Sequence, residues 1–66
     1  MNQQNGTQAV GPVLLTPEEA ADALRLGRSM IYDLMRTGDL ESVKVGKCRR
    51  VPVDALSRFV DTLRAA

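Results

Sequence analysis

The sequence predicts one small, mainly α domain with a single β-hairpin, ordered as two short helices, a hairpin and a closing helix. Three observations predict it. Apolar residues recur three and four apart in three separate stretches, the spacing of a half-buried helix. Between the second and third stretches the period shortens to the alternation Val43-Lys44-Val45, the mark of a strand. Glycines fall at the boundaries, at Gly27, Gly38 and Gly46. A chain of 66 residues has surface enough for one core only. With one Phe, one Tyr and no Trp, that core must be built from Leu, Val, Ile, Met and Ala.

Residues 1–12 are largely Gln, Asn, Gly and Thr with few apolar anchors, and are expected to form a flexible tail before a folded domain over residues 13–66. Thr16-Pro17-Glu18-Glu19 combines an N-cap Thr, a Pro at the first helical position and a Glu three residues after the cap. The helix it starts carries Ala20, Ala21 and Leu24 inward and is expected to stop at Gly27. In the next helix Ile31, Leu34 and Met35 fall on one buried face, and Gly38 after Thr37 reads as a left-handed C-terminal cap. Two short helices meeting at a glycine turn form the helix-turn-helix pattern. In the hairpin, Val43, Val45 and Val51 are expected to face the core, with Lys44 and Arg50 outward and Gly46 at positive φ in the turn. Pro52 ends the second strand. From Asp54, Leu56, Phe59, Val60 and Leu63 give a third helix that closes the domain on the first two. The fold class is therefore a winged helix-turn-helix with a two-stranded wing.

Composition excludes several functions. The lone Cys48 has no disulfide partner in the chain, and with no His the usual zinc-ligand spacings are missing. Neither paired carboxylates on one face nor a Gly-rich phosphate loop is present, so no enzyme and no cofactor is expected. No apolar run approaches the roughly 20 residues of a membrane span, and the N-terminus lacks signal-peptide features, so a cytoplasmic protein is expected. Formal charge is only +1, but it is segregated. Residues 1–24 hold Glu18, Glu19 and Asp22 and no cation, whereas 25–50 hold seven Lys and Arg against Asp33, Asp39 and Glu41. A basic segment of this kind is the footprint of a nucleic-acid surface, or else simply a solvated charged face.

The stretch TPEEAADALRLGRSMIYDLMRTGDLESVKVGKCRRVPVDAL, and the chain from about Leu14 to Leu63, resembles the excisionase-type DNA-binding domains related to the MerR winged-helix group. The resemblance is carried by Thr16-Pro17-Glu18-Glu19-Ala20-Ala21, Ile31-Tyr32 with Leu34-Met35, Gly38-Asp39-Leu40, and Val45-Gly46-Lys47 leading to Arg50-Val51-Pro52. It implies a second helix in the major groove and a wing along an adjacent minor groove or the backbone. It also implies a recombination directionality factor of a phage or integrative element, at work on the nucleoid of a bacterial host. Such a factor binds several sites near an attachment site, bends the DNA and helps a tyrosine- or serine-type integrase assemble for excision, performing no chemistry itself. A MerR-type regulator would need a dimerisation helix and effector domain after Leu63, where three residues remain. The chain departs from the family's usual pattern at Cys48, where a basic residue is common, at Arg49, where an aromatic is common, and at Met30, where a small polar residue is common.

Candidate DNA contacts follow from position and chemistry. Arg28 and Ser29 open the second helix, where side chains reach base edges, and Arg bonds guanine bidentately; alternatively Arg28 only starts the helix and Ser29 caps it. Met30 offers a thymine methyl an apolar contact. Tyr32 and Arg36 are placed for phosphate oxygens, although Tyr32 could instead be a core residue with its hydroxyl at the rim. Asp33 either accepts from a cytosine amine or pairs with a neighbouring Arg, the second being expected. Lys44, Lys47, Arg49 and Arg50 would neutralise phosphates or enter a minor groove, or else guard an edge strand. Arg25 in the turn is a further phosphate contact. The partners expected are double-stranded DNA and an integrase, with a monomer in solution and cooperative self-association on DNA. Two other readings stand beside this one: a small transcriptional regulator of the same fold, and an interaction module for an acidic protein, which steep salt dependence of duplex binding would argue against.

Overall fold

The structure, a computed structural model, describes residues 13–66; the tail expected over 1–12 lies outside the described residues. Its elements are β1 (Leu14–Leu15), α1 (Pro17–Leu24), α2 (Arg28–Thr37), β2 (Val43–Val45), β3 (Cys48–Pro52) and α3 (Val53–Ala65). This is the mainly helical, winged helix-turn-helix arrangement, with one strand more than the sequence suggests. The three strands form an antiparallel sheet in the order β1-β3-β2. Two residues carry no readable period, so β1 exists only because β3 offers it a free edge. Leu14 pairs with Pro52 and Leu15 with Val51. Pro52 has no N–H to give, and the bond at this end comes from Val53, whose N–H donates to the Val13 carbonyl at 2.9 Å.

Helix α1 starts as its sequence dictates. The Glu19 N–H donates to Thr16 Oγ1 at 3.1 Å and the Thr16 N–H to Glu19 Oε1 at 2.9 Å, a closed capping box. Its end corrects the expectation. The helix stops at Leu24, and the left-handed residue is Arg25, with φ 60°, rather than Gly27. The cause is Leu26, which packs against the core; for it to turn inward the chain must reverse just before it. The Leu26 N–H then donates to the Ala21 carbonyl at 3.0 Å, the six-to-one bond of a Schellman motif. Gly27 instead becomes the extended N-cap of α2. At the far end of α2, Gly38 takes φ 88° and its N–H bonds the Leu34 and Met35 carbonyls, the cap that its sequence position predicts.

The core joins Ala20, Ala21, Ile31, Leu40, Val51, Ala55 and Phe59, and Ile31, Leu40 and Val51 are wholly buried. Leu24, Leu26, Leu34, Met35 and Leu56 pack around it. Small alanines on α1 let α2 and β3 approach closely. The last turn of α3 runs past this core, leaving Leu63 exposed. Arg58 of α3 donates to Asp54 Oδ2 at 3.0 Å and to Glu41, fastening that helix to the segment leading into β2.

The hairpin corrects a second expectation. Gly46 and Lys47 form a two-residue turn, so Val45 pairs with Cys48, Lys44 with Arg49 and Val43 with Arg50. Cross-strand partners share a sheet face and neighbours along a strand alternate. Val51 therefore lies on the opposite face from Val43 and Val45, not with them. Val51 is wholly buried, whereas Val45 is 52% exposed.

Candidate nucleic-acid interface

Helix α2 is positioned by its buried side. With Ile31 in the core and Leu34 and Met35 half-buried, the helical period turns Ser29, Tyr32, Asp33 and Arg36 outward. Arg28 begins the helix, and because Gly27 occupies the cap, Ser29 is not the capping residue. Arg28 and Ser29 stand exposed in the first turn. Arg25, in its left-handed conformation between α1 and α2, is exposed too.

Not every candidate joins this face. Met30 lies on the flank of α2 and lines an apolar groove with Leu26, Leu34, Phe59 and Leu63, between α2 and α3. Asp33 pairs with Arg36 at 2.6 Å, the intramolecular bond expected for it. Tyr32 is neither core nor unattached: it is half exposed, and its hydroxyl donates to Glu18 Oε2 at 2.9 Å.

The wing supplies the second half of the surface. Lys44 and Arg49 stand side by side across the strands, Lys47 occupies the turn, and Arg50 donates to the Arg49 carbonyl at 2.9 Å. Arg49 reaches towards α2 and, with Tyr32, Asp33, Met35 and Arg36, lines a concavity of about 530 Å³ between helix and wing. Cations from both elements thus border one hollow.

Glu18 is the member that sequence reasoning missed. Its Oε2 accepts from Tyr32 and lies 3.8 Å from the Arg28 guanidinium. A backbone hydrogen bond and the Tyr32 hydroxyl hold its carboxyl below the ordinary glutamate range; burial opposes them, and the Arg28 and Arg50 charges add lesser help. The same hydrogen bond pushes the Tyr32 phenol above its usual range. A glutamate in the first turn of a helix is already explained by the positive end of the helix dipole, so no local signal marks this one for a contact fourteen residues away.

Residues 14–64 match the family described as helix-turn-helix domain. Over 51 residues the chain is 49% identical to an excisionase of Streptomyces ambofaciens, covering 77% of this chain and 82% of that protein. The chain belongs to the excisionase family. A probable excisionase of Saccharopolyspora erythraea is 47% identical over 53 residues, which span 80% of this chain but only about half, 54%, of that relative. No solved structure gave a significant match. All the DNA-contact candidates of the chain, Arg25 to Arg50, fall inside the matched helix-turn-helix segment. Among the described residues no helix is long and apolar enough to cross a membrane.

Proposed function

We propose that the chain acts as an excisionase on double-stranded DNA, with α2 in the major groove and the β2–β3 wing against the neighbouring backbone or minor groove. The observation that carries this reading is the exposed face of α2, where Arg28, Ser29, Tyr32 and Arg36 point outward beside Arg49 of the wing. Arg28 is the base reader, since the first turn of a recognition helix lies deepest in the groove and guanine offers Arg two acceptors. Arg25, Arg36, Lys44, Lys47, Arg49 and Arg50 bind phosphates, which fixes register and supplies most of the affinity. Tyr32 and Asp33 organise these cations, and Met30 serves the apolar flank rather than a base. Binding at successive sites bends the duplex, with molecules assembling side by side, and brings in an integrase of the tyrosine or serine class.

A gel-shift titration on a duplex spanning the attachment region of the host element tests this, with and without Arg28→Ala and at two salt concentrations. A ladder of complexes that weakens with salt and with the Arg28 change is the expected result. A folded protein that shifts no duplex at low salt would sink the reading. A single complex on one promoter site, with no dependence on an integrase, would favour a transcriptional regulator.

A further inference from the structure

The first turn of α1 holds two consecutive glutamates with separate tasks. Glu19 closes the capping box on Thr16. Glu18 points to α2, where its Oε2 receives the Tyr32 hydroxyl at 2.9 Å and faces the Arg28 guanidinium at 3.8 Å. Two donors of α2, one hydrogen-bonded and one within ion-pair distance, therefore meet at a single carboxylate oxygen, which like a phosphate oxygen is anionic and accepts hydrogen bonds. Resting on the DNA-binding reading above, we propose that Glu18 is a specificity-determining residue: it fills the phosphate position at the start of α2 and so weakens binding to DNA of the wrong sequence.

The physical asymmetry is between a phosphate and a base edge. A phosphate approaching Arg28 is repelled by Glu18 and must displace it. Guanine presents O6 and N7 without net charge, so Arg28 gains its two bonds there with far less opposition from the carboxylate. Contacts to phosphate carry no sequence information, and suppressing one of them raises the ratio of specific to non-specific binding.

The test compares Glu18→Gln and Glu19→Gln with the unaltered protein on two duplexes of equal length, one spanning the attachment region and one unrelated, over a series of salt concentrations. Both changes remove one negative charge. Glutamine at 19 keeps the capping box, and glutamine at 18 keeps an oxygen for Tyr32. Glu18→Gln is expected to tighten binding to the unrelated duplex about two- to fivefold, the scale of one exposed ion pair. Its salt dependence should steepen by up to about 0.9 in log–log slope, one further phosphate contact. The attachment duplex gains less, so discrimination falls, and Glu19→Gln leaves discrimination unchanged. Tyr32 is the chain's single tyrosine, so its absorbance titration reads the contact directly and should move back towards the ordinary phenol range in Glu18→Gln. Equal tightening of both duplexes by both variants, or an unmoved Tyr32 titration, would overturn the proposal. Failure of the unaltered protein to bind either duplex would instead overturn the DNA-binding reading itself.

Discussion

Helix α2 and the wing both present cations to one hollow, but they are held in opposite ways. Helix α2 is capped by glycine at both ends and anchored by a wholly buried Ile31, and three of its outward side chains have acidic partners: Tyr32 bonds Glu18, Arg36 bonds Asp33, and Arg28 lies within ion-pair range of Glu18. Of the wing's strand residues only Val51 is buried, and among the described residues Lys44, Lys47, Arg49 and Arg50 form no ion pair. A surface that reads sequence needs side chains fixed before contact, because ordering them on binding costs affinity. A surface that only neutralises phosphates needs reach. On the proposed DNA-binding reading, the difference fits reading by α2 and attachment by the wing.

That contrast breaks first at the core. Ile31→Ala removes a fully buried side chain and should cost about 2–5 kcal/mol, whereas Val45→Ala on the wing should stay within about 0.5 kcal/mol. A domain this small holds only about 3–5 kcal/mol from its core, so the Ile31 variant should be largely unfolded by circular dichroism at 25 °C and the Val45 variant native. Similar melting of the two would erase the distinction. On DNA, Arg28→Ala should lose about 1–3 kcal/mol on the attachment duplex and little elsewhere; Lys47→Ala should weaken all duplexes alike and lower the salt slope by about one. Competition titrations separate these patterns, and a uniform loss for Arg28→Ala would make α2 another phosphate binder.

Smaller effects sharpen the comparison. Gly38 caps α2 and Gly46 turns the wing, both at positive φ with open space where a Cβ would stand. Alanine at either should cost about 1 kcal/mol through backbone strain alone, seen as equal drops in urea midpoint. The least effect is on pH. Glu18, held by a backbone hydrogen bond and the Tyr32 hydroxyl, has its acidity raised by folding, so its contribution is present at neutral pH and is lost as pH falls through the carboxylate range. The Tyr32 phenol is shifted upward, so its share persists through neutral pH and is lost only as pH rises through its folded value. Melting temperatures of Glu18→Gln should therefore depend less on acid than those of the unaltered chain.

Much of this architecture is legible in the sequence because it is local. The capping box, the stripe of Ile31, Leu34 and Met35, and Gly38 each act within a few residues. Three features are set by strand pairing or helix packing, and local pattern alone does not reveal them. Strand β1 needs the free edge of β3; the burial of Val51 apart from Val45 depends on the number of residues in the wing turn; and Glu18 meets Tyr32 only once α1 and α2 have packed. The candidate site follows the same division. The outward face of α2 can be read from helical period, whereas the displacement of Met30 to the α2–α3 groove depends on where α3 lies.

Arg25 carries the longest side chain the chain could place there, in a backbone conformation that favours glycine. Gly or Asn would relieve about 1 kcal/mol of strain at that position. Two selections on one mutant library would consequently diverge at this codon. Sorting for thermal resistance alone should enrich Gly and Asn at 25, whereas sorting for retention on DNA should keep Arg if Arg25 binds a phosphate as proposed; enrichment of Gly and Asn in both would argue against that contact.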